Sequence, residues 1–209
     1  MNKDKLQGLY VITDPVLCGS HMIESVEQAI AGGANIIQYR NKTASKKQQL
    51  NEAQALQILC QKHQRLFIIN DDIALALAVH ADGVHLGQTD GSIQSAREQL
   101  GKEKIIGMTC HSNMDAAITA QQQGASYVAF GRFYPSHTKP AAPPAEIDIL
   151  HQAKAQLQLP VVAIGGVTIE NAGTLINAGA NMLAVIHAVF AQDNIKQSAQ
   201  NFSQLFKQD

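Results

Sequence analysis

The sequence has few charged residues, few cysteines and no long apolar run. Charged residues make up only 16% of the 209 residues, and the formal net charge is −1. No run of lysine or arginine could follow a nucleic-acid backbone, and no apolar stretch approaches the ~18 residues of a membrane span. Residues 1–5 lead into a run too short for the core of a signal peptide. The composition therefore predicts a cytoplasmic protein that binds neither nucleic acid nor membrane.

The scarcity of cysteine excludes two further classes of protein. Cys18, Cys60 and Cys110 lie far apart and show no metal-binding spacing, so the sequence indicates neither a disulfide framework nor a zinc site. Cys110 precedes His111, but adjacent residues of a strand point to opposite faces and would not meet. We therefore predict three reduced thiols and no catalytic cysteine.

The sequence does contain a regular alternation of strand-like and helix-like segments. Between the β-rich runs lie segments rich in Ala, Gln and Leu with helical periodicity, such as residues 49–61 and 114–123. Gly33, Gly124 and Gly179 each precede a strand, where the end of a helix favours a left-handed residue, and we expect Gly83 to play the same part. The predicted strands are residues 9–13, 36–40, 66–70, 83–86, 105–109, 127–131, 161–165 and 183–187.

Eight strand–helix units predict an α/β fold, a (β/α)₈ TIM barrel that forms a single domain over residues 1–209. Near-continuous apolar strands are typical of a parallel sheet covered by helices. A doubly wound open sheet is the alternative, which is disfavoured because no GxGxxG motif follows the first predicted strand. The proline-rich segment 132–145 follows the sixth strand, where a barrel places an active-site loop.

Two acidic residues, Asp71 and Asp90, follow consecutive predicted strands. Neighbouring strands of a sheet lie about 4.8 Å apart, so carboxylates at the same end can reach one hard cation. The alternative is that both aspartates cap the following helices. We favour a magnesium site because the same end of the sheet also collects Arg40, Lys42 and Lys139.

Polar residues at this end also indicate an anion site. Gln38, Arg40 and Lys42 share one face of the second strand, where burial would be costly without an anion to hold. Lys139 lies in the loop after the sixth strand, where it binds phosphate or is simply solvated. Loops after the seventh and eighth strands often form a phosphate site in barrels. Here they contain Gly165, Gly166, Ile186 and His187.

Six segments, in order along nearly the whole chain, carry a resemblance. They are residues 38–42 (QYRNK), 69–72 (INDD), 81–88 (ADGVHLGQ) with Asp90, 107–111 (GMTCH), 130–131 (FG) with 135–139 (PSHTK), and 162–166 (VAIGG). In this combination the chain resembles the thiamine phosphate synthase family. The resemblance implies a barrel transferase of thiamine biosynthesis that uses Mg²⁺. Such an enzyme joins 4-amino-2-methyl-5-pyrimidinylmethyl diphosphate to a thiazole phosphate carboxylate and releases diphosphate and CO₂.

The resemblance also implies roles for individual residues. The magnesium ligands would be Asp71 and Asp90, and the catalytic cations at the leaving diphosphate would be Lys139, Arg40 and Lys42. Asn41 stands where the family has glutamate, and we expect it to face away from the site. The residues that would hold the pyrimidine diphosphate are Gln38, Arg40, Lys42, Asn70, Thr109 and Lys139. Those that would hold the thiazole phosphate are Ser136, His137, Thr138, Gly166, Ile186 and His187.

Two other functions fit part of this pattern. A thiazole tautomerase-like relative would share the barrel and the thiazole pocket, but its diphosphate and magnesium residues should be eroded, whereas here they are intact. A non-catalytic thiazole phosphate-binding protein would need no metal pair. In the favoured reaction the pyrimidine stabilises positive charge on its own methylene, so the protein mainly neutralises the departing anion and aligns the partner. The lack of a Ser-His-Asp set agrees with this chemistry.

Overall fold

The computed structural model describes residues 5–135 and 143–207. Eight parallel strands close into a barrel in the order of the sequence. This confirms the predicted fold class, a single-domain (β/α)₈ barrel; the extent of the domain over residues 1–209 stays a prediction. The strands are β1 Gly8–Ile12, β2 Ile36–Tyr39, β3 Leu66–Asn70, β4 Gly83–Leu86, β5 Ile105–His111, β6 Tyr127–Phe130, β7 Val161–Ile164 and β8 Met182–Val185.

Helices follow the strands and cover the outside of the barrel. Among the described helices, none is both long enough and apolar enough to cross a bilayer. They are α1 Pro15–Cys18, α2 Met22–Ala31, α3 Lys46–Lys62, α4 Ile73–Ala78, α5 Ile93–Leu100, α6 Met114–Gln122, α7 Asp148–Gln156, α8 Ile169–Asn177, α9 His187–Phe190 and α10 Ile195–Leu205, with a 3₁₀ turn at Gly19–His21.

The core has two layers because alternate residues of each strand face opposite sides of the sheet. An outer layer lies between the strands and the helices and includes Val11, Phe67 and Phe130. An inner layer fills the barrel and contains Ile36 and Met182. The inner layer fills the lower part of the barrel, as is usual in this fold, in which active sites lie at the carboxyl ends of the strands.

Glycines at the helix ends largely match the prediction. Gly33, Gly124 and Gly179 have φ values of 103°, 89° and 120°, which confirms their left-handed role. The expectation for Gly83 is wrong, since His80 takes the left-handed position with φ 55°. Gly83 is instead required for space, because a Cβ there would lie 2.0 Å from the carbonyl oxygen of Ile105.

The eighth strand is shorter than predicted. It ends at Val185, and the carbonyl of Ile186 accepts hydrogen bonds from Val189 and Phe190, at 3.2 and 2.9 Å. The backbone therefore turns at Ile186, and His187 is the first residue of α9 rather than the last of a strand.

One glycine inside a helix offers a test of packing. A Cβ on Gly173, in the middle of α8, would meet no atom within 4 Å, so Gly173→Ala should stabilise the protein by roughly 1 kcal/mol through helix propensity. A Cβ on Gly107 would lie 2.0 Å from Cζ of Tyr127, so Gly107→Ala should cost about 1–3 kcal/mol by overpacking. The midpoint temperature of thermal unfolding should therefore rise for Gly173→Ala and fall for Gly107→Ala.

Candidate active site

A cavity of about 340 Å³ opens at the carboxyl ends of the strands. It collects the described residues that the sequence singled out, while the predicted roles of Ser136, His137, Thr138 and Lys139 fall on positions outside the described residues. The roles of all of them stay predictions. The sequence-predicted residues that line the cavity are Gln38, Arg40, Lys42, Asn70, Asp71, Asp90, Thr109, Gly166, Ile186 and His187.

Asp71 lies directly after β3 in an unusual backbone conformation. Its φ is 62°, in the left-handed region, and its amide donates to the carbonyl of His85 on neighbouring β4 at 2.9 Å. Two donors reach Oδ2 of its side chain: Nζ of Lys42 at 2.7 Å and Nδ2 of Asn70 at 2.6 Å. Left-handed backbone at a non-glycine residue is strained, and such strain concentrates at functional sites.

The carboxyl groups of Asp71 and Asp90 are in direct contact. Burial acts to raise the pKa of Asp71, but hydrogen bonds with Lys42, Asp90 and Asn70, together with the charge of Lys42, hold this pKa below its usual value. The pKa of Asp90 is raised, first by partial desolvation and then by the hydrogen bond and negative charge of Asp71. The side chains of Asp71 and Asp90 share this hydrogen bond, so they lie close enough to act on one cation.

The alternative that these aspartates cap helices is wrong. Asp72 is the N-cap of α4 and accepts from the amide of Leu75 at 2.9 Å. Ser92 is the N-cap of α5. The N-caps of α4 and α5 are therefore Asp72 and Ser92, and neither Asp71 nor Asp90 caps a helix.

Two carboxylates are too few to hold a metal ion by protein ligands alone, but they suit a Mg²⁺ ion whose other ligands are water and substrate phosphates. The described residues contain no group of three or more His, Cys, Asp or Glu that could hold a metal ion. Mg²⁺ is commonly bound through one or two carboxylates together with water and substrate phosphates. A divalent cation would also relieve the repulsion between Asp71 and Asp90 when both are ionised.

Residues at the end of β2 alternate between the cavity and the helical layer, as predicted. Gln38 is buried at 3% exposure and, like Arg40, lines the cavity. Tyr39 and Asn41 point the other way, where both donate to Oε2 of Glu52 on α3, at 2.7 and 3.0 Å. The expectation that Asn41 faces away from the site is confirmed.

A chain of hydrogen bonds crosses the barrel beneath the cavity, and sequence reasoning missed it. Nε2 of Gln38 lies 2.7 Å from Oη of Tyr10, which lies 2.8 Å from Oη of Tyr127. That hydroxyl lies 2.9 Å from Nδ1 of His85, whose Nε2 lies 2.9 Å from Oγ1 of Thr109. The chain thus begins and ends at residues predicted to hold substrate. The signal available in the sequence was a tyrosine at an inward-facing strand position. The neighbouring residues in the sequence do not indicate which side chains such a tyrosine will contact.

The two tyrosines of this chain act as neutral hydroxyls. Both are almost completely buried. Burial raises the pKa of Tyr10 above its usual value, although the hydrogen bonds with Tyr127 and Gln38 oppose this shift. Burial, with the charge of and hydrogen bond to Tyr10, also raises the pKa of Tyr127. Each phenol therefore keeps its proton near neutral pH, and each hydroxyl needs a hydrogen-bond acceptor for that proton.

Gly165 and Gly166 form the loop after β7 on the other side of the cavity. Both have positive φ, at 101° and 64°. A Cβ on Gly166 would lie 2.3 Å from the carbonyl oxygen of Pro135, and one on Gly165 would lie 2.3 Å from Cβ of Arg132. Close contact with the loop after β6 is thus a second reason for glycine here, besides the approach of an anion that the sequence suggested.

Further cavity residues, two of them ionisable, were not predicted as site residues. These two residues are His111 and Arg132, which both line the cavity.

Cys110, next to His111, is buried, and burial raises the pKa of its thiol to about 12. The three cysteines are free and buried; that they are ordinary reduced thiols stays a prediction.

A closed parallel barrel with an ionic cavity at the carboxyl ends of its strands defines a (β/α)₈-barrel enzyme that acts on small molecules. The profile of the thiamine monophosphate synthase family matches residues 9–189. The chain belongs to this family. The resemblance read from the sequence is therefore confirmed.

Similar proteins agree with this assignment. A thiamine-phosphate synthase of Alcanivorax borkumensis is 52% identical over 207 residues, which cover 97% of this chain and 95% of the relative. The solved structure of a thiamine phosphate pyrophosphorylase from Pyrococcus furiosus has a TM-score of 0.90 and 33% identity and covers 98% of this chain and 97% of its own. Orotidine 5'-phosphate decarboxylase from Pyrococcus horikoshii shares the fold alone, with a TM-score of 0.67 and 15% identity over 96% of this chain and 100% of its own.

These similarities support a transferase of thiamine biosynthesis, the function predicted from the sequence. They do not favour the tautomerase-like or non-catalytic alternatives.

Proposed function

We propose that this protein is a cytoplasmic, Mg²⁺-dependent thiamine phosphate synthase, with 4-amino-2-methyl-5-pyrimidinylmethyl diphosphate and a thiazole phosphate carboxylate as its substrates. The observation that carries the proposal is a single cavity with two different ends. Asp71, Asp90 and Lys42 form an ionic cluster at one end, and Gly166, in the loop after β7, and His187, the first residue of α9, line the same cavity. Such a cavity suits a diphosphate and a monophosphate held facing each other.

The ionic end would receive the pyrimidine diphosphate. Gln38 and Thr109 would contact the pyrimidine ring, while Asn70, Arg40 and Lys42 would surround the diphosphate. When the bond to diphosphate breaks, negative charge grows on the leaving oxygens, so fixed cations bind the transition state more tightly than the ground state. Lys139, expected to add a further cation, lies outside the described residues, and its role is a prediction from the sequence.

Asp71 and Asp90 would hold magnesium at this end. A bound Mg²⁺ would supply positive charge to the leaving diphosphate without any proton transfer. The protein's own part is to hold both carboxylates at the carboxyl ends of β3 and β4. The left-handed backbone of Asp71 and the ion pair between Asp71 and Lys42 would serve this purpose.

The loops after β7 and β8 would anchor the thiazole phosphate. Gly166 lines the cavity, and α8 begins just beyond this loop, so its N-terminus would add backbone amides at the same end of the barrel. Anchoring the phosphate aligns the thiazole nitrogen with the pyrimidine methylene, which is a gain in proximity and orientation. No nucleophilic side chain is required.

The direct test is to incubate the purified protein with both substrates and Mg²⁺ and to measure thiamine phosphate and released diphosphate. We expect equal amounts of the two products and none when either substrate is left out. A protein that only isomerises the thiazole, or binds thiazole phosphate in calorimetry without turnover, would instead fit one of the two alternatives. A parallel reaction with the decarboxylated thiazole phosphate measures how strictly the carboxylate is preferred.

A further inference from the structure

The hydrogen-bond chain under the cavity has one consistent direction. Nε2 of Gln38 donates to Oη of Tyr10, so the proton of Tyr10 must go to its other partner, Tyr127. Tyr127 in turn has only Nδ1 of His85 left as an acceptor among the partners that the structure gives it. A buried hydroxyl proton without an acceptor is costly, and this cost sets the direction.

The direction determines which ring nitrogen of His85 carries the proton. Because Nδ1 accepts from Tyr127, the ring proton of His85 lies on Nε2, which donates to Oγ1 of Thr109. Thr109 then keeps its own hydroxyl proton for a ligand. At the other end of the hydrogen-bond chain, the side-chain amide of Gln38 donates one N–H to Oη of Tyr10. Its carbonyl oxygen is therefore left as an acceptor for a ligand.

The barrel is shaped around the central member of this chain. The ring of Tyr127 stacks on His85, with centroids 5.6 Å apart, and meets Tyr10 edge to face at 6.1 Å. A Cβ on Gly107 of β5 would lie 2.3 Å from Oη of Tyr127. Gly107 has an ordinary φ, so the glycine is there to make room for the tyrosine hydroxyl.

We propose that Tyr127 is a positioning residue: its hydroxyl joins Tyr10 to His85 and thereby fixes Gln38 as an acceptor and Thr109 as a donor at the cavity. Tyr127 is not among the residues that line the cavity, whereas the other four members of the chain are. It therefore acts on a ligand only through them.

This arrangement selects a ring that offers a donor next to an acceptor. An aminopyrimidine has this pattern, because its exocyclic amine donates and the adjacent ring nitrogen accepts. This selectivity rests on the proposed function, whereas the direction of the hydrogen-bond chain does not.

The test compares two substitutions that each remove one buried phenol hydroxyl. Tyr127→Phe breaks the chain, and Tyr39→Phe removes the hydroxyl that donates to Glu52 outside the barrel. We expect Tyr127→Phe to lower kcat/KM for the pyrimidine diphosphate about tenfold, the worth of one well-placed hydrogen bond. The KM for thiazole phosphate should not change. Tyr39→Phe should alter neither value, although both variants lose some thermal stability.

A spectroscopic measurement tests the chain without any turnover. Nitrogen NMR of the imidazole rings, with the His85 signals assigned by their loss in His85→Gln, should show the proton on Nε2 in the wild-type protein. Tyr127→Phe should shift His85 toward a mixture of tautomers, and Tyr39→Phe should not.

The outcomes separate this proposal from the proposed function. If the wild type carries the His85 proton on Nδ1, or if Tyr127→Phe changes neither the tautomer nor the kinetics, the positioning role is wrong even though the enzyme makes thiamine phosphate. If the wild type makes no thiamine phosphate, the proposed function fails, and the tautomer measurement still decides the role of Tyr127.

Discussion

Asp71→Asn should raise the magnesium concentration needed for half-maximal activity by more than about 10–100-fold, the range seen when residues that merely support a metal ligand are removed. The carboxamide keeps the shape of the side chain but loses the charge that a hard cation needs. Asp90→Asn should act in the same direction, because the two side chains are in contact. Activity titrated against Mg²⁺ at saturating substrate is the measurement.

The neighbouring residue supplies a matched control for this charge change. Asp72 caps α4 and pairs with Lys46 at 2.7 Å, and it is not among the described residues that line the cavity with Asp71 and Asp90. Asn is also a good N-cap, so Asp72→Asn should keep the helix and leave the magnesium titration unchanged. Wild-type activity of Asp71→Asn at limiting metal, or an equal shift from Asp72→Asn, would show that the metal site is misassigned.

Lys42→Ala should lower kcat by about 10²–10³, the usual cost of removing one donor to a developing anion. Lys42 bridges the two parts of the ionic end, since it contacts Asp71 at 2.7 Å and lines the cavity. Its loss would remove a proposed cation at the leaving diphosphate and one of the partners that lower the pKa of Asp71. Single-turnover measurements at saturating Mg²⁺ isolate the chemical step.

Lys46 provides the comparison for Lys42. It too pairs with an aspartate at 2.7 Å, but it lies on the helical side and is not among the residues that line the cavity. Lys46→Ala should therefore leave the chemical step at the wild-type rate, because an exposed ion pair contributes little. Similar rates for the two variants would remove Lys42 from the catalytic cations.

The fold could be predicted because its signals are local. Strand and helix periodicity repeat eight times, and Gly33, Gly124 and Gly179 mark helix ends by a backbone preference that needs no partner. Alternation along β2 likewise predicted that Gln38 and Asn41 face opposite sides of the sheet. Boundaries were less certain: β8 ends early because the turn at Ile186 is made by hydrogen bonds within the following segment.

The carboxylate pair could be predicted in part. Chain order placed Asp71 and Asp90 at the ends of consecutive strands, but it could not decide between metal binding and helix capping. That choice depends on φ of Asp71 and on the neighbours Asp72 and Ser92, which perform the capping. The contact between Lys42 and Asp71 also appears only once the loops after β2 and β3 are folded against each other.

The amino-acid sequence by itself determined the barrel, the two faces of β2 and which polar residues stand at the strand ends, because periodicity and residue type act over a few neighbouring positions. Only the tertiary structure decided which side chains meet across the barrel. Tyr10 and Tyr127 are separated by 117 positions and lie on β1 and β6, which are not paired in the sheet. Their contact arises from the closure of eight strands around a common interior, and no local pattern specifies which inward-facing residues that closure brings together.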